Sequence, residues 1–359
     1  MMQLAMQRRI WKTEKAGSIR RLRLVEDGLP PLKANHVRVR VRAAGLNFAD
    51  LFALTGLYSA TPDGPFVPGL EFSGEVSEVG RSVAGSTLTP GQRVMGCIRF
   101  GGYASIVDVP ASQLQAIPQG WTFEQGAAFP VQTLTAWYAL STLGAVVPGQ
   151  WVLIHSAAGG VGLQAMAICR ILGAVPVGSV SGRHKKAFLA ERGYEQVIVR
   201  GRDFARRLDE ILQGRPLHLV LDAIGGKIQR LSFDALAPTG RMVCFGAAVF
   251  APGRNRPRYL ASAWNYLRRP RYDPLPMISA NKSVMAFNLI WLWHDQVLVA
   301  RLMDEILALD LAPPHVGRTF PFDEAHAALE YLRSGRSIGK VVLMLQPSPA
   351  AASNSSLPK

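Results

Sequence analysis

The stretch from Trp151 to Arg170 most constrains what this chain can fold into. It opens with an unbroken apolar run, Trp151-Val-Leu-Ile154, which is typical of a buried parallel strand. Glycines follow at 159, 160 and 162, and the apolar residues after them recur at the spacing of one helix face. We therefore predict that the glycines lie on a strand-to-helix turn.

The pattern Ala157-x-Gly159-x-x-Gly162 matches the dinucleotide-binding fingerprint, with alanine in the first glycine position. In this pattern Gly159 lets the backbone approach a pyrophosphate, Gly162 lets the helix pack on the strand, and the helix N-terminus offers N–H groups to the phosphates. Alone, such a match often marks only a tight turn. The flanking strand and helix, and further strands downstream, favour the dinucleotide interpretation.

The kind of dinucleotide is indicated at the end of the next predicted strand, residues 174–180. An acidic residue there would hold the ribose hydroxyls of NAD, but the chain has Ser181-Gly-Arg-His-Lys-Lys186. Cations and a hydroxyl would instead hold a 2′-phosphate, so the sequence favours NADPH. The alternative is that Arg183 and Lys185 are solvated charges at the start of a surface helix.

Strands and helices alternate from Trp151 onwards, which predicts a doubly wound parallel sheet of the Rossmann type. The strand candidates are 151–155, 174–180, 195–199, 217–222 and 241–246. Pro176 lies inside the second candidate and removes a donor from the ladder, so we expect a local irregularity there.

The residues before the fingerprint contain short strand-like runs bounded by Gly or Pro, which predict a small β-barrel. The segments 316–321, 322–332 and 340–345 are predicted to return to it. We expect an α/β protein with a barrel domain of residues 1–130 and 312–346 and a Rossmann domain of residues 131–311. Residues 347–359, rich in Pro, Ser and Ala, are predicted to be a disordered tail.

The composition bounds the classes of function. The 359 residues are 48% hydrophobic and 18% charged, without an apolar run long enough for a bilayer span or a secretory signal, so we expect a cytoplasmic location. Cys97, Cys169 and Cys244 are scattered singly and form neither a disulfide framework nor a metal-binding spacing. The formal net charge of +15 favours an anionic partner: a phosphorylated cofactor, nucleic acid or an anionic membrane surface.

Residues 250–276 form an insert in which arginines and aromatic residues are interleaved. Such a segment could bind nucleic acid or lipid headgroups. A solvated loop and short helix, covering the cofactor or forming a subunit contact, is the favoured alternative. The residues concerned are Arg254, Arg256, Arg258, Arg268, Arg269, Arg271, Tyr259, Trp264, Tyr266 and Tyr272.

Further motifs run in a fixed order along residues 9–345. They are Ala44-Gly-Leu-Asn47-Phe-Ala-Asp50, Gly56-Leu-Tyr58, Pro68-Gly-Leu-Glu71-Phe-Ser-Gly74, Gly101-Gly-Tyr103-Ala104, Leu134-Thr135-Ala136 and Gly339-Lys340-Val341. With the fingerprint, they make the chain resemble the medium-chain dehydrogenase/reductase superfamily, and within it the zinc-free quinone oxidoreductases of zeta-crystallin type. The branch it resembles most is the vesicle amine transport protein group, judged from the motif around Asn47, the Arg/Trp insert and Phe287-Asn288-Leu289. The resemblance implies a GroES-like barrel beside the Rossmann domain.

Zinc-dependent members of the superfamily carry an early Cys ligand, a His in a Gly-His-Glu motif and a four-Cys lobe. This chain has Gly69-Leu70-Glu71 at the motif and no such lobe. We therefore expect no metal, which disfavours a metal-dependent alcohol dehydrogenase.

The resemblance also implies a set of cofactor-binding residues. Asn47 and Thr135 would lie beside the nicotinamide, and Arg200 stands where relatives often place a Tyr near the adenosine phosphate. Asp222, at a strand end, is predicted to be a structural hydrogen-bonding residue. The pyrophosphate would contact Ala158, Gly159, Gly160 and Val161, and the 2′-phosphate would contact Ser181, Arg183 and Lys185. The residues on the ribose and nicotinamide side would be Phe245, Gly246, Ala247, Phe287, Asn288 and Leu289. Lys340 is the last predicted contact.

Two residues are predicted to take part in catalysis, Asn47 and Tyr58. A reduced quinone or enolate needs a proton, which the Tyr58 phenol could supply or relay. Alternatively, Tyr58 packs over the cleft mouth and water is the donor. Asp50 is predicted to be an orienting or helix-start residue.

The resemblance thus implies an NADPH-dependent, zinc-independent reductase of a quinone or an enone, present as a homodimer. An enoyl reductase acting on thioester-linked chains is the first alternative. A non-catalytic NADPH-binding protein that binds nucleic acid or an anionic membrane through its basic surface is the second.

Overall fold

The computed structural model describes residues 7–83, 87–251 and 259–345, which form two compact units. The first unit contains the described residues up to Pro130, Arg318–Leu332 and those from Val341 onwards. The second contains Val131–Gly317 and Arg333–Lys340. The domain boundaries at 130/131 and 311/312 stay predictions. Arg254, Arg256, Arg258 and the tail 347–359 lie outside the described residues.

Strands occur in both units, and helices connect most of those in the second. In chain order the strands are β1 (Gln7–Lys12), β2 (Arg23–Gly28), β3 (His36–Gly45), β4 (Glu71–Val79), β5 (Arg93–Cys97), β6 (Ile106–Pro110), β7 (Leu114–Ala116), β8 (Trp151–His155), β9 (Val175–Val180), β10 (Val197–Val199), β11 (Leu217–Asp222), β12 (Leu236–Cys244), β13 (Ser283–Ala286), β14 (Val316–Pro321) and β15 (Lys340–Met344).

The helices in chain order are α1 (Phe48–Thr55), α2 (Phe123–Ala127), α3 (Pro130–Trp137), α4 (Gly160–Ile171), α5 (Arg183–Ala190), α6 (Phe204–Leu212), α7 (Gly226–Asp234), α8 (Tyr259–Leu267), α9 (Pro274–Ala280), α10 (Leu289–Leu292), α11 (Gln296–Leu307) and α12 (Ala325–Arg333). A π-helical segment, Tyr138–Leu143, continues α3.

The first unit is built around β3, which pairs antiparallel with β4, β6 and β15. Its valines at 37, 39 and 41 are buried, as the alternating pattern predicts. The opposite face is not fully solvated, because Arg38 is only 6% exposed. Its Nε and Nη2 donate to the two carboxylate oxygens of Asp108 at 2.8 and 2.9 Å, which compensates the buried charge.

The second unit contains a six-stranded parallel sheet in the order β10-β9-β8-β11-β12-β13, which confirms the predicted doubly wound sheet. All the pairings in this sheet are parallel, so the carboxyl ends of the six strands lie along one edge. The strand order reverses between β8 and β11, which is where such sheets bind their ligands. The sequence did not predict β13, a four-residue edge strand with little apolar signal.

The prediction of a local irregularity at Pro176 is wrong. The ladder between β8 and β9 continues in register through the pair Val152 and Pro176. On the other side, β10 pairs with β9 only from Gly178 onwards. Pro176 therefore lies at an unpaired margin of β9, where its missing N–H removes no hydrogen bond.

The predicted short helix of the basic insert is α8, which follows residues outside the described ranges. Within the described ranges, no helix combines the length and apolar composition needed to cross a bilayer.

Candidate active site

The fingerprint forms the predicted strand-to-helix turn in the second unit. β8 ends at His155, Gly159 caps α4, and α4 begins at Gly160. Ser156 has a φ of 55°, and its carbonyl accepts a hydrogen bond of 2.8 Å from the Gly159 N–H. The first N–H groups of α4 therefore lie on the turn that the fingerprint reserves for a pyrophosphate.

The three glycines are needed for different reasons. A Cβ at Gly162 would lie 2.3 Å from the Ser156 carbonyl oxygen, which confirms that this glycine permits close packing of helix and strand. A Cβ at Gly160 would lie 1.4 Å from Oε1 of the buried Gln132. At Gly159 a Cβ would meet one atom, the Ser156 carbonyl oxygen, at 3.2 Å, which is a tight contact but not a clash of the kind found at the other two glycines. No local sequence signal marks Gln132.

The segment Arg333–Lys340 of the second unit is bonded to this turn. The Gly339 N–H donates to the Ala158 carbonyl at 2.8 Å, and Gly159 and Gly339 form a parallel bridge. Lys340 is buried, and its backbone N–H donates to the His315 carbonyl at 3.0 Å. Residues late in the chain thus fix the backbone of the fingerprint.

Cations follow the ends of β9 and β10. Ser181 is exposed, and so is Arg183, the first residue of α5. Lys185 is only 8% exposed and its Nζ donates to the Gly335 carbonyl at 2.6 Å. Burial lowers the pKa of Lys185, and the charge of Arg200 lowers it further. Lys185 is therefore not a solvated surface charge, and it lies close enough to Arg200 to interact with it.

Arg200 lies just beyond β10. Its Nη1 donates to the carbonyl oxygen and to Oγ of Ser179 at 3.0 and 3.2 Å. Burial lowers the pKa of Arg200 to about 10, and the nearby Asp222 carboxylate opposes this shift. The guanidinium keeps its charge at neutral pH, as an anion-binding group must.

A buried histidine lies beneath this edge and was not predicted from the sequence. His155 shares hydrogen bonds of 2.6 Å with Ser179 Oγ and 2.9 Å with Ser232 Oγ. Burial, and then the charge of Arg200, lower its pKa to about 3, so the imidazole is neutral. It joins β8, β9 and α7 and has the character of a structural group.

Asp222 ends β11 and is the structural residue that the sequence predicted. Its carboxylate accepts hydrogen bonds from the N–H groups of Ile224 and Gly225 at 3.0 and 3.1 Å and from Gln229 Nε2 at 2.8 Å. Burial raises its pKa to about 6, although these hydrogen bonds oppose the shift.

The predicted ribose and nicotinamide contacts of the second unit follow β12 and β13 at the same edge. The Phe287 ring meets the Tyr138 ring edge-on, with 4.9 Å between the ring centroids. The centroids of the Phe287 and Phe245 rings are 6.0 Å apart. Thr135 is buried in α3, where its Oγ1 donates to the Val131 carbonyl at 2.6 Å. Gly246 and Ala247 follow Phe245, Asn288 caps α10, and Leu289 is buried at the start of α10.

The first unit holds Asn47 rigidly. Its backbone N–H donates to Asp50 Oδ2 at 2.7 Å, and its Nδ2 donates to Glu71 Oε1 at 2.9 Å. Asp50 is thus the predicted helix-start residue, in the first turn of α1. Glu71 is fully buried, so the amide of Asn47 is oriented by a carboxylate that water does not reach.

Asp50 also joins two further motifs. Its Oδ1 accepts the Gly69 N–H at 3.1 Å and its Oδ2 accepts the Tyr103 hydroxyl at 2.9 Å. Burial raises the pKa of Tyr103 well above its usual value, with the Asp50 charge acting in the same direction. Three of the motifs that the resemblance rests on, those containing Asn47, Glu71 and Tyr103, are therefore connected by hydrogen bonds.

Tyr58 follows α1 and is half-buried against the core of the first unit. Its carbonyl accepts hydrogen bonds from the N–H and Oγ1 of Thr61 at 3.0 and 2.7 Å. Its role as a proton donor stays a prediction, as do the predicted cofactor contacts described above.

Comparison with known proteins identifies the class. Residues 33–119 match the family described as alcohol dehydrogenase GroES-like domain, and residues 193–343 match that described as zinc-binding dehydrogenase. The predicted GroES-like and Rossmann fold is thereby confirmed. The chain belongs to the medium-chain dehydrogenase/reductase family of oxidoreductases.

Among its relatives is the human synaptic vesicle membrane protein VAT-1 homolog, which is 35% identical over 86% of this chain and 79% of the relative. The Escherichia coli quinone oxidoreductase complexed with NADPH has a TM-score of 0.79 at 28% identity, covering 95% of this chain and 100% of that one. The CurK enoyl reductase has a TM-score of 0.80 at 26% identity, covering 94% and 99%. The predicted family resemblance is confirmed.

The residues at the position of the zinc-binding motif do not fit a zinc site of this family. Leu70 stands at the histidine position of the zinc-dependent motif, and its neighbour Glu71 is bonded to Asn47. Across the described ranges, no three residues among His, Cys, Asp and Glu lie together as metal ligands would.

Proposed function

We propose that the chain is an NADPH-dependent, zinc-independent reductase that transfers hydride to a quinone or to an electron-poor C=C bond. The observation that carries this proposal is the carboxyl edge of the parallel sheet. There the N-terminus of α4, capped by Gly159, follows β8, and cations follow β9 and β10 at the same edge, with no carboxylate in residues 181–186. The NADPH complex of the similar Escherichia coli quinone oxidoreductase supports the choice of cofactor.

The residues of the turn suit the binding of the pyrophosphate of a dinucleotide. The α4 N-terminus would hold the pyrophosphate beside Ala158, Gly159, Gly160 and Val161. Arg183, Arg200 and Ser181 would hold the 2′-phosphate, with Lys185 contributing its buried charge. When bound, NADPH supplies the hydride, and the protein positions the reactants and excludes water.

The experiment compares NADPH and NADH binding by calorimetry. Because Arg183 is exposed, Arg183→Ala removes a cation without disturbing the core, whereas Lys185→Ala would empty a packed position. We expect Arg183→Ala to weaken NADPH binding by about 10- to 100-fold and to leave NADH binding unchanged, since a charge-assisted hydrogen bond is lost. Arg206→Ala, an exposed arginine of α6, is the matched control. Equal affinity of the wild type for NADPH and NADH would contradict the proposal.

An enoyl-thioester reductase is the second candidate, supported by the similarity to the CurK enoyl reductase. Turnover separates the candidates: NADPH oxidation with a quinone or an enone supports the first, and oxidation only with a crotonyl thioester supports the second. NADPH binding without turnover of any of these would favour a non-catalytic binding protein. A homodimer remains part of the proposal, and sedimentation velocity tests it.

A further inference from the structure

A chain of hydrogen bonds runs inside the second unit from Arg200 to α7. Arg200 Nη1 donates to Ser179 Oγ at 3.2 Å, and Ser179 Oγ lies 2.6 Å from His155 Nδ1. His155 Nε2 lies 2.9 Å from Ser232 Oγ, which lies 2.8 Å from the Ile228 carbonyl oxygen. Ser179, His155 and Ser232 are at most 1% exposed, so bulk water does not compete for these contacts. We refer to these three residues as the His155 chain.

The acceptor at the far end fixes the direction of every bond in the His155 chain. A carbonyl oxygen only accepts, so Ser232 donates its single hydroxyl hydrogen to Ile228. Ser232 must then accept from His155, which places an imidazole proton on Nε2. Because burial lowers the pKa of His155 to about 3, Nδ1 is unprotonated at neutral pH and accepts the Ser179 hydroxyl hydrogen. Ser179 Oγ keeps its own lone pairs for Arg200.

The same contacts decide which edge of the Arg200 guanidinium is left for a ligand. Nη1 donates to both the carbonyl oxygen and Oγ of Ser179. Across the described residues, Nε and Nη2 of Arg200 have no hydrogen-bond partner, and neither atom is buried. Nε and Nη2 form the side of the guanidinium fork that can bind two phosphate oxygens at once. Ser179 therefore holds one end of the fork and leaves its bidentate edge accessible.

The charges around Arg200 favour a bound anion. The charge of Arg200 lowers the pKa of Lys185, after the larger effect of burial, so the two cations lie near each other. Lys185 Nζ is held by the Gly335 carbonyl and Arg200 by Ser179, which are neutral acceptors. In the described part of the chain neither cation takes part in an ion pair. A bound phosphate would relieve the repulsion between them.

We propose that Ser179, His155 and Ser232 are positioning residues that hold the Arg200 guanidinium in the orientation that receives the 2′-phosphate of NADPH. The inference rests on the proposed function, because the phosphate belongs to the proposed cofactor. The three residues act through Arg200 and need not contact the cofactor themselves. The preference for NADPH thereby depends on α7, a helix outside both the fingerprint and residues 181–186.

Calorimetry with NADPH and NADH tests the His155 chain, because the two cofactors differ only in the 2′-phosphate. Arg200→Ala should weaken NADPH binding about 10- to 100-fold and leave NADH binding unchanged. Ser179→Ala keeps the guanidinium charged but frees it from the hydroxyl, so we expect a loss of about 5- to 10-fold for NADPH alone. In Ser179→Ala/Arg200→Ala the serine change should add no further loss, because it acts through Arg200.

Ser73→Ala is the matched control for Ser179→Ala. Ser73 is fully buried in β4 of the first unit, and its Oγ donates to the Phe123 carbonyl. The control therefore also removes a buried, hydrogen-bonded hydroxyl. It should lower the free energy of unfolding without changing the ratio of NADPH to NADH affinity. A merely structural role of Ser179 would give the same result as this control.

The protonation of His155 provides a readout that requires no cofactor. In wild-type protein labelled with ¹⁵N at histidine, we expect the chemical shift of an unprotonated nitrogen at Nδ1 and of a protonated one at Nε2. His155→Gln identifies the signals by their disappearance. Ser232→Ala removes the acceptor of the Nε2 proton and should move the Nε2 signal. It should also weaken NADPH binding, by less than Ser179→Ala does, because its effect passes through His155.

The outcomes separate this inference from the proposed function. An NADPH preference as large in Ser179→Ala as in the wild type would overturn the inference alone, and so would a His155 that carries its proton on Nδ1. A preference unchanged in Arg200→Ala would also overturn only the inference, because the 2′-phosphate would then be held by other residues. Equal binding of NADPH and NADH by the wild type would overturn both.

Discussion

Gln132 occupies the space that any side chain at position 160 would need, since a Cβ built on Gly160 would lie 1.4 Å from Gln132 Oε1. Gly160→Ala must therefore displace a buried glutamine. We expect the variant to lose about 1–3 kcal/mol of unfolding free energy, because overpacking outweighs the roughly 1 kcal/mol that alanine gains over glycine in a helix. Urea unfolding measures the change.

The double variant Gly160→Ala/Gln132→Ala tests the cause, because it removes the obstructing side chain and should recover much of the lost stability. Gly162→Ala provides the contrast. Its Cβ would meet backbone atoms of Ser156 and Ala157, so Gln132→Ala should not rescue it. Equal rescue of both glycine variants would contradict this account.

The hydrogen bond between Asn47 and Glu71 should be worth more than a surface contact, because Glu71 is fully buried. Glu71→Ala leaves the Asn47 amide without its acceptor and should cost about 1–3 kcal/mol of unfolding free energy. Glu71→Gln keeps an acceptor of the same shape and should cost less. Thermal unfolding of the two variants distinguishes them, and equal loss would show that the charge of Glu71, rather than its hydrogen bond, is needed.

Tyr58→Phe tests the proposed proton donor. If the phenol supplies the proton, kcat should fall by about 100-fold or more while the affinity for NADPH stays unchanged. Tyr103→Phe is the control tyrosine, because its hydroxyl is buried on Asp50 and its loss should appear as reduced stability. An unchanged kcat in Tyr58→Phe would assign proton donation to water.

The second unit should respond to acid through two opposing groups. His155 has a folded-state pKa of about 3 against an ordinary value of 6.5, so below pH 6.5 the unfolded state binds the extra proton and stability is lost as pH falls. Asp222 has a folded-state pKa of about 6 against 3.8, so its protonation favours the folded state as pH falls through that window. Between pH 4 and 6 the two contributions nearly cancel.

Asp222→Asn removes the compensating group. Relative to the wild type, the variant should lose about 1.4 kcal/mol of unfolding free energy for each pH unit from 6 down to 4. Denaturant unfolding at several pH values measures the slope, with His155→Gln predicted to change it in the opposite direction. If the unfolding free energies of wild type and Asp222→Asn changed with pH in parallel, Asp222 would not be the group that compensates His155.

The local parts of the candidate site were predictable from sequence. The turn at Gly159 and the role of Gly162 follow from a strand, a glycine pattern and a helix within about twenty residues of chain. Asp50 was predicted because a carboxylate in the first helical turn caps it locally.

The parts that depend on distant partners were not predictable. Lys185 is buried because it meets the Gly335 carbonyl, a partner 150 residues away in sequence. Gln132 and the hydrogen bonds of His155 depend in the same way on how helices pack beside the sheet. An edge strand as short as β13 carries too few residues for a periodic pattern to be recognised.

The hydrogen bonds from Arg333–Lys340 to the fingerprint determine how this protein can be recombined with others. A nucleotide-binding module excised as the continuous stretch 131–317 would leave the Ala158 carbonyl and the Lys185 ammonium without the partners they have here. A chimera that exchanges cofactor preference between enzymes of this family must therefore transfer two separate pieces of chain, the second only eight residues long.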